Sequence, residues 1–297
     1  SKKTLVNRDL VTVNPSNKVW NWTDLFYFWG VNIQSVIGFS LITSLYVIYG
    51  LNTFVVLFGS ILASILVYFF SNLIGKPSQK FGLPFVVLLR SSLGFRGAQY
   101  FGFLRSIVGM FMFGIQTYFF LLFLGFLFRI VFFSYDNNFL GQEIFLIFLF
   151  GLDIIDWASI SIAMILQIFL FSIGMNFNKK LIKFSAISVY LGMIIFFFVV
   201  LLSDVKLSTN AFLNALNLSN FIDKNNFIPL ITVTGTIFAY FSIVILSFGD
   251  FSRYVKDEKE LKKGNFSLIL NLILFSFFAL FIVIGADVFL KENSEKI

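Results

Sequence analysis

An all-α polytopic membrane protein is the fold class this sequence predicts, on three observations. Of its 297 residues 58% are hydrophobic and only 12% charged, where a soluble domain carries roughly 25% charged residues. Residues 25–75 run for 51 positions without an Asp, Glu, Lys or Arg, long enough for two crossings of roughly 20 residues each. The apolar runs are continuous rather than alternating. That suits helices and not barrel strands, and a bilayer admits only backbones whose hydrogen bonds close internally.

The elements follow in order. Residues 1–24 are polar, carry four Lys/Arg and lack the apolar stretch of a signal peptide, so they read as a cytoplasmic N-terminal segment. The first charge-free run divides at "YGLN" into spans 25–49 and 53–75. Further runs set spans at 106–128, 158–178, 184–203, 228–249 and 266–286, seven in all, with 287–297 as an external end. "IFLIFLFGL" (144–152) is nine residues long and is followed by Asp153 and Asp156. It reads as a surface or re-entrant piece, with Trp157 as an interfacial anchor. The alternative starts the fourth span at Ile144 and takes both carboxylates into the membrane, where acids are costly and mark function.

Charge sets the orientation. With the N-terminus inside, the inner segments hold seventeen Lys/Arg and the outer ones five, an asymmetry that fixes a cytoplasmic N-terminus. The net charge of +7 is therefore topological and gives no sign of nucleic-acid binding; the large-scale partner is the lipid bilayer. With no Cys and no His, disulfides, thiol chemistry and His-centred metal sites or proton relays are excluded within the chain. Abundant Phe, Ile, Lys and Asn point to AT-rich coding DNA and a bacterial inner membrane. Nothing in the sequence sets an oligomeric state.

Polar residues inside the spans separate a transport path from mere packing, because each is expensive in hydrocarbon. In "FWGVNIQSVIGFS", Gly30, Asn32, Gln34, Ser35 and Gly38 crowd mid-span. Such a cluster predicts a locally unwound helix that offers backbone carbonyls to a cation and side chains to a solute; a small-residue packing face is the other reading. The third span places Met112 and Gln116 on one face, where a lone Gln also serves simply to bond a neighbouring helix. The sixth, "TVTGTIFAYFSIVILS", again gathers small and hydroxyl residues at mid-depth, and threonines there can bond their own preceding turn. Interrupted centres in the first and sixth spans match corresponding positions of an inverted-repeat transporter.

"FWGVNIQS" (28–35), "LRSSLGFRGAQYFGFLR" (89–105), "MFMFGIQTY" (110–118) and "GDFSRYVKD" (249–257) resemble the nucleobase:cation symporter-1 family, over residues 14–264. The resemblance implies a five-plus-five inverted repeat of twelve helices, of which about seven are present here, so the chain is expected to continue beyond Ile297. It implies a secondary active symporter that takes up a nucleobase or related nitrogen heterocycle with Na⁺, or H⁺, by alternating access, and no enzymatic activity. It puts the carbonyls of Gly30 and Ile33 at the cation and Gln34 and Gln116 at the heterocycle's edge. Phe241 becomes the stacking aromatic, flanked by Tyr240 and Ser242. Met112 stands where several members have Trp, which leaves an aromatic sandwich incomplete and the exact substrate open. A non-transporting membrane receptor or assembly subunit is the alternative. In "GDFSRY", Asp250 and Arg253 read either as a local i,i+3 pair or as charges that meet the basic segment 90–105 in one access state.

Overall fold

The computed structural model describes residues 10–136, 148–216 and 226–294. Residues 1–9 of the N-terminal segment, 144–147 of the short apolar piece, Lys224 and 295–297 lie outside it. Among the described residues the chain is helical, with isolated bridges at Trp20–Val255 and Leu149–Leu152 but no strand. The helices are α1 (Trp22–Ile33), α2 (Val36–Val47), α3 (Thr53–Phe81), α4 (Phe85–Tyr135), α5 (Ile154–Ser172), α6 (Met175–Ser203), α7 (Val205–Ala215), α8 (Phe227–Ser252) and α9 (Glu258–Ser294). Six are long and apolar enough to cross a membrane, and α1 with α2, bent by 55°, makes a seventh span. This is an integral, polytopic all-α protein.

The chain divides into two compact units, residues 1–101 with 181–297, and residues 102–180. In the first, α3 buries a stripe at four-residue spacing (Gly59, Ala63, Val67, Ser71, Gly75) that is small at every position but Val67, so that helix backbones approach closely. A Cβ at Gly59 would lie 2.6 Å from Val233, and one at Gly75 would lie 2.7 Å from Phe248. These two contacts show α3 and α8 running in the same direction. Trp20 meets Tyr254 at one end, while α2 and the start of α8 line one groove at the other. The α1–α2 span and α8 therefore cross in opposite directions, as the first helices of two inverted repeats would. α9 runs alongside α1–α2 through a buried polar chain. Trp29 Nε1 donates to Asn265 Oδ1 (3.1 Å), and Asn265 Nδ2 donates to Asn72 Oδ1 on α3 (3.1 Å).

The two units meet expectation differently. The sixth span is not interrupted: α8 is one continuous helix. Its hydroxyls are absorbed by the preceding turn, Thr232 Oγ1 donating to Ile228 O (3.0 Å) and Thr234 Oγ1 to Leu230 O (2.8 Å). At its end the Asp250 carboxylate accepts the Phe85 N–H (2.9 Å) at the start of α4, and Arg253 Nε donates to the Asp250 carbonyl (3.2 Å). Asp250 thus caps the start of α4, the helix that carries the basic segment. The stretch after Asp250 is paired with the N-terminal segment, Trp20 N to Tyr254 O and Lys256 N to Trp20 O, both 3.0 Å.

In the second unit, α5 begins at Ile154, with Asp153 as its N-cap and Asp156 in its first turn. Each caps the other's backbone, and Arg129 on α4 donates to both carboxylates, at 2.7 and 2.8 Å. Burial alone would raise the Asp153 carboxyl; the Asp156 N–H and the Arg129 guanidinium hold it below the usual carboxylate range. Leu149–Leu152 is a tight turn, and Trp157 Nε1 donates to Leu149 O (3.2 Å).

Candidate functional site

The break in the first span is built from local chemistry. Gln34 (φ −83°, ψ 66°) and Ser35 (φ −114°, ψ 159°) leave helical geometry between α1 and α2. The Gln34 N–H closes on Gly30 O and the Ser35 N–H on Ile33 O, both at 2.9 Å. Ser35 Oγ then accepts the Gly38 N–H (3.0 Å), restarting the helix as a cap. A Cβ at Gly38 would sit 2.6 Å from the Ile33 oxygen; glycine is what lets that carbonyl remain uncovered. The negative end of α1 and the positive end of α2 face each other here, an arrangement suited to a cation and a polar solute.

α8 crosses the break. The Tyr240 hydroxyl and Ser35 Oγ share a hydrogen bond of 2.8 Å. Beside it lies a void of only about 10 Å³, lined among others by Ile33, Gly38, Tyr240, Phe241, Leu272 and Phe275. That space holds at most about one water. Gln34 is 6% exposed, and its Oε1 has no hydrogen-bond partner among the described residues. A buried amide oxygen without a partner forgoes roughly 1–3 kcal/mol, so it is an acceptor waiting for a donor. Tyr190 on α6 repeats the pattern: its hydroxyl is buried without a partner, 3.2 Å from where a Gly30 Cβ would stand, and its ring stacks on Phe26 at 5.8 Å.

The structure brings together Gly30, Ile33, Gln34, Tyr240 and Phe241. Phe241, 2% exposed, lies edge-on to Tyr240 with ring centroids 5.0 Å apart. Ser242 is not brought in; it is exposed and donates to Ala239 O (2.7 Å). Met112, half-buried, and Gln116, exposed, belong to the second unit. Gly30 and Ile33 each spend one carbonyl lone pair on a backbone N–H, which leaves the other for a hard cation. The sequence reading passed over three features of this region. Tyr190 carries no signal in an apolar run. Ser35 was part of the polar cluster without a role of its own. Asn72, near the end of the first charge-free run, and Asn265, just before the last, could have been found as amides at the edges of apolar sequence.

A family model described as a permease for cytosine/purines, uracil, thiamine and allantoin matches residues 12–294. The allantoin permease of Bacillus subtilis (strain 168) is 32% identical over 114 residues, 38% of this chain and 23% of that protein. A purine-uracil permease of Arabidopsis thaliana is 28% identical over 280 residues, 92% of this chain and 44% of that protein. The chain thus spans less than half the length of each relative. No solved structure matches it.

Proposed function

This chain belongs to the family of permeases for cytosine/purines, uracil, thiamine and allantoin, and from that membership we propose that it serves a secondary active transporter. The transporter takes up a nucleobase or related nitrogen heterocycle together with Na⁺ or H⁺ by alternating access. The observation that carries the reading is the broken first span, with the buried, unpartnered Gln34 amide oxygen at its break. Such an amide suits the N–H edge of a planar heterocycle. Gln34 would hold that edge, Phe241 would offer its face to the ring once the void opens, and stacking of this kind is worth roughly 1–3 kcal/mol. Met112, Gln116 and Ser242 remain assigned to the substrate by resemblance alone. The carbonyls of Gly30 and Ile33 would give the cation its first two ligands. A break without Asp, Glu, His or Lys favours Na⁺ over H⁺. In this reading the protein sits in a bacterial inner membrane, which the abundance of Phe, Ile, Lys and Asn supports, with its N-terminus cytoplasmic, which the seventeen-to-five distribution of basic residues supports.

The test is uptake of labelled uracil, cytosine, hypoxanthine, allantoin and hydantoin by cells producing the full-length protein, with and without Na⁺. Saturable, Na⁺-dependent uptake of at least one is expected. Absence of saturable uptake for all five removes this substrate class, and saturable uptake indifferent to Na⁺ moves the coupling to H⁺.

A further inference from the structure

α2 is held to α8 in an unusual way. Between α2 and the first half of α8 runs a groove of about 750 Å³, lined by Ile37, Ser40, Leu41, Ile228, Thr232 and Thr236 among others. Its hydroxyls do not bridge the two helices: Ser44 Oγ donates to Leu41 O on its own helix, and Thr232 Oγ1 to Ile228 O. At the inner end of the groove stands Leu41, which also lines the void of about 10 Å³ at the break. Beside that void the polar tie from the break to α8 is the 2.8 Å bond between Ser35 Oγ and Tyr240 OH. The void is far below the roughly 300–1,000 Å³ of a ligand pocket, so no heterocycle fits between Ile33, Gly38 and Phe241 while α2 stays where it is.

Resting on the heterocycle reading above, we propose that the Ser35–Tyr240 hydrogen bond is a latch that holds α2 against α8 and shuts the chamber beside Gln34 on the side of the groove. The non-helical pair Gln34–Ser35 is the hinge, since two residues already outside helical geometry can absorb the change in φ and ψ. Ser35 suits the part because one hydroxyl has a donor and two acceptor sites. It goes on capping α2 through the Gly38 N–H whether or not Tyr240 is bound, so the latch opens without unwinding the helix it releases.

The latch is read without any substrate. The chain contains no cysteine, and Ile237, 1% exposed, lines the void. In the full-length protein in membranes, Ile237→Cys is labelled with a water-soluble thiol reagent, and protein without that substitution gives the background. Adding Tyr240→Phe, which removes only the hydroxyl, should raise the labelling rate about two- to tenfold, the range of one hydrogen bond. Ser35→Ala, which also removes the cap on the Gly38 N–H, should raise it at least as much, and adding Tyr240→Phe to Ser35→Ala should add nothing further because the latch is already gone. Unchanged labelling in Tyr240→Phe, or effects that multiply in the double variant, overturns the latch. A heterocycle that slows labelling supports both latch and transport reading. Raised labelling that no heterocycle affects keeps the latch and removes the reading; heterocycle uptake with labelling unchanged does the reverse.

Discussion

Phe241 is the residue on which packing and binding compete. It lies 2% exposed among Ile237, Leu272 and Phe275 beside a void of about 10 Å³, so the closed form has no room for a larger ring. Phe241→Trp should therefore overpack the interface by about 1–3 kcal/mol and lower the yield of folded protein, measured as a drop in thermal midpoint and in the monodisperse fraction. Phe241→Leu should fold within about 1.5 kcal/mol of the parent yet bind heterocycle more weakly, because it lacks the aromatic face. Equal binding by Phe241→Leu would make the residue core and nothing more. Gln34 differs from Phe241 in that the sequence already marked it. An amide inside an apolar run has to find a partner or a ligand, and that is legible from composition alone. Ser242 was not legible in the same way, since a hydroxyl can satisfy itself on Ala239 O without leaving its helix.

Among the elements, α4 carries its strain at one position. Gly94 has φ 68° and ψ −178°, a region essentially closed to residues with a Cβ. Gly94→Ala should cost on the order of 1–3 kcal/mol, seen as a lowered thermal midpoint; a midpoint within error of the parent would mean that the backbone relaxes freely there. The tie between α4 and α5 predicts a pH response. The Asp153 carboxyl titrates below its ordinary value in the fold. Its contribution is therefore fully present above the unfolded value of about 3.9, and is lost as pH falls through the lower folded value. Stability compared between the parent and Arg129→Met should differ at pH 7 by on the order of 2–3 kcal/mol. That is below the roughly 3–5 of a fully buried pair, because the Arg129 side chain is 33% exposed. The difference should vanish at the acid end, and a gap that persists unchanged below pH 3 would contradict the sign. The sequence could not show this cap, because the partner, Arg129, stands 24 residues from Asp153. The unbroken α8 was hidden for a related reason: threonines and glycine lower helix propensity, but packing along α3 overrides it.

At the scale of the whole molecule the legible part was the membrane logic. Charge-free runs of roughly 20 residues fall on the long described helices, because a bilayer leaves few alternatives, although the run 158–178 is cut where α5 ends at Ser172 and α6 starts at Met175. Less legible was how the spans pair, since the closeness of α3 and α8 depends on Gly59 and Gly75 each meeting a particular side chain. Seventeen basic residues against five predict an internal N-terminus; a protease-sensitive tag before residue 1 should be cut only after inverted or permeabilised membranes are used. The central claim is that a heterocycle is held at the α1–α2 break by Gln34. It is tested most directly by equilibrium binding of the best-transported heterocycle to the purified full-length parent and to Gln34→Ala. Gln34→Ala should fold and bind with affinity reduced by about 1–3 kcal/mol, or roughly 5- to 150-fold. An affinity unchanged from the parent, in a protein that still binds and transports the heterocycle, would contradict it.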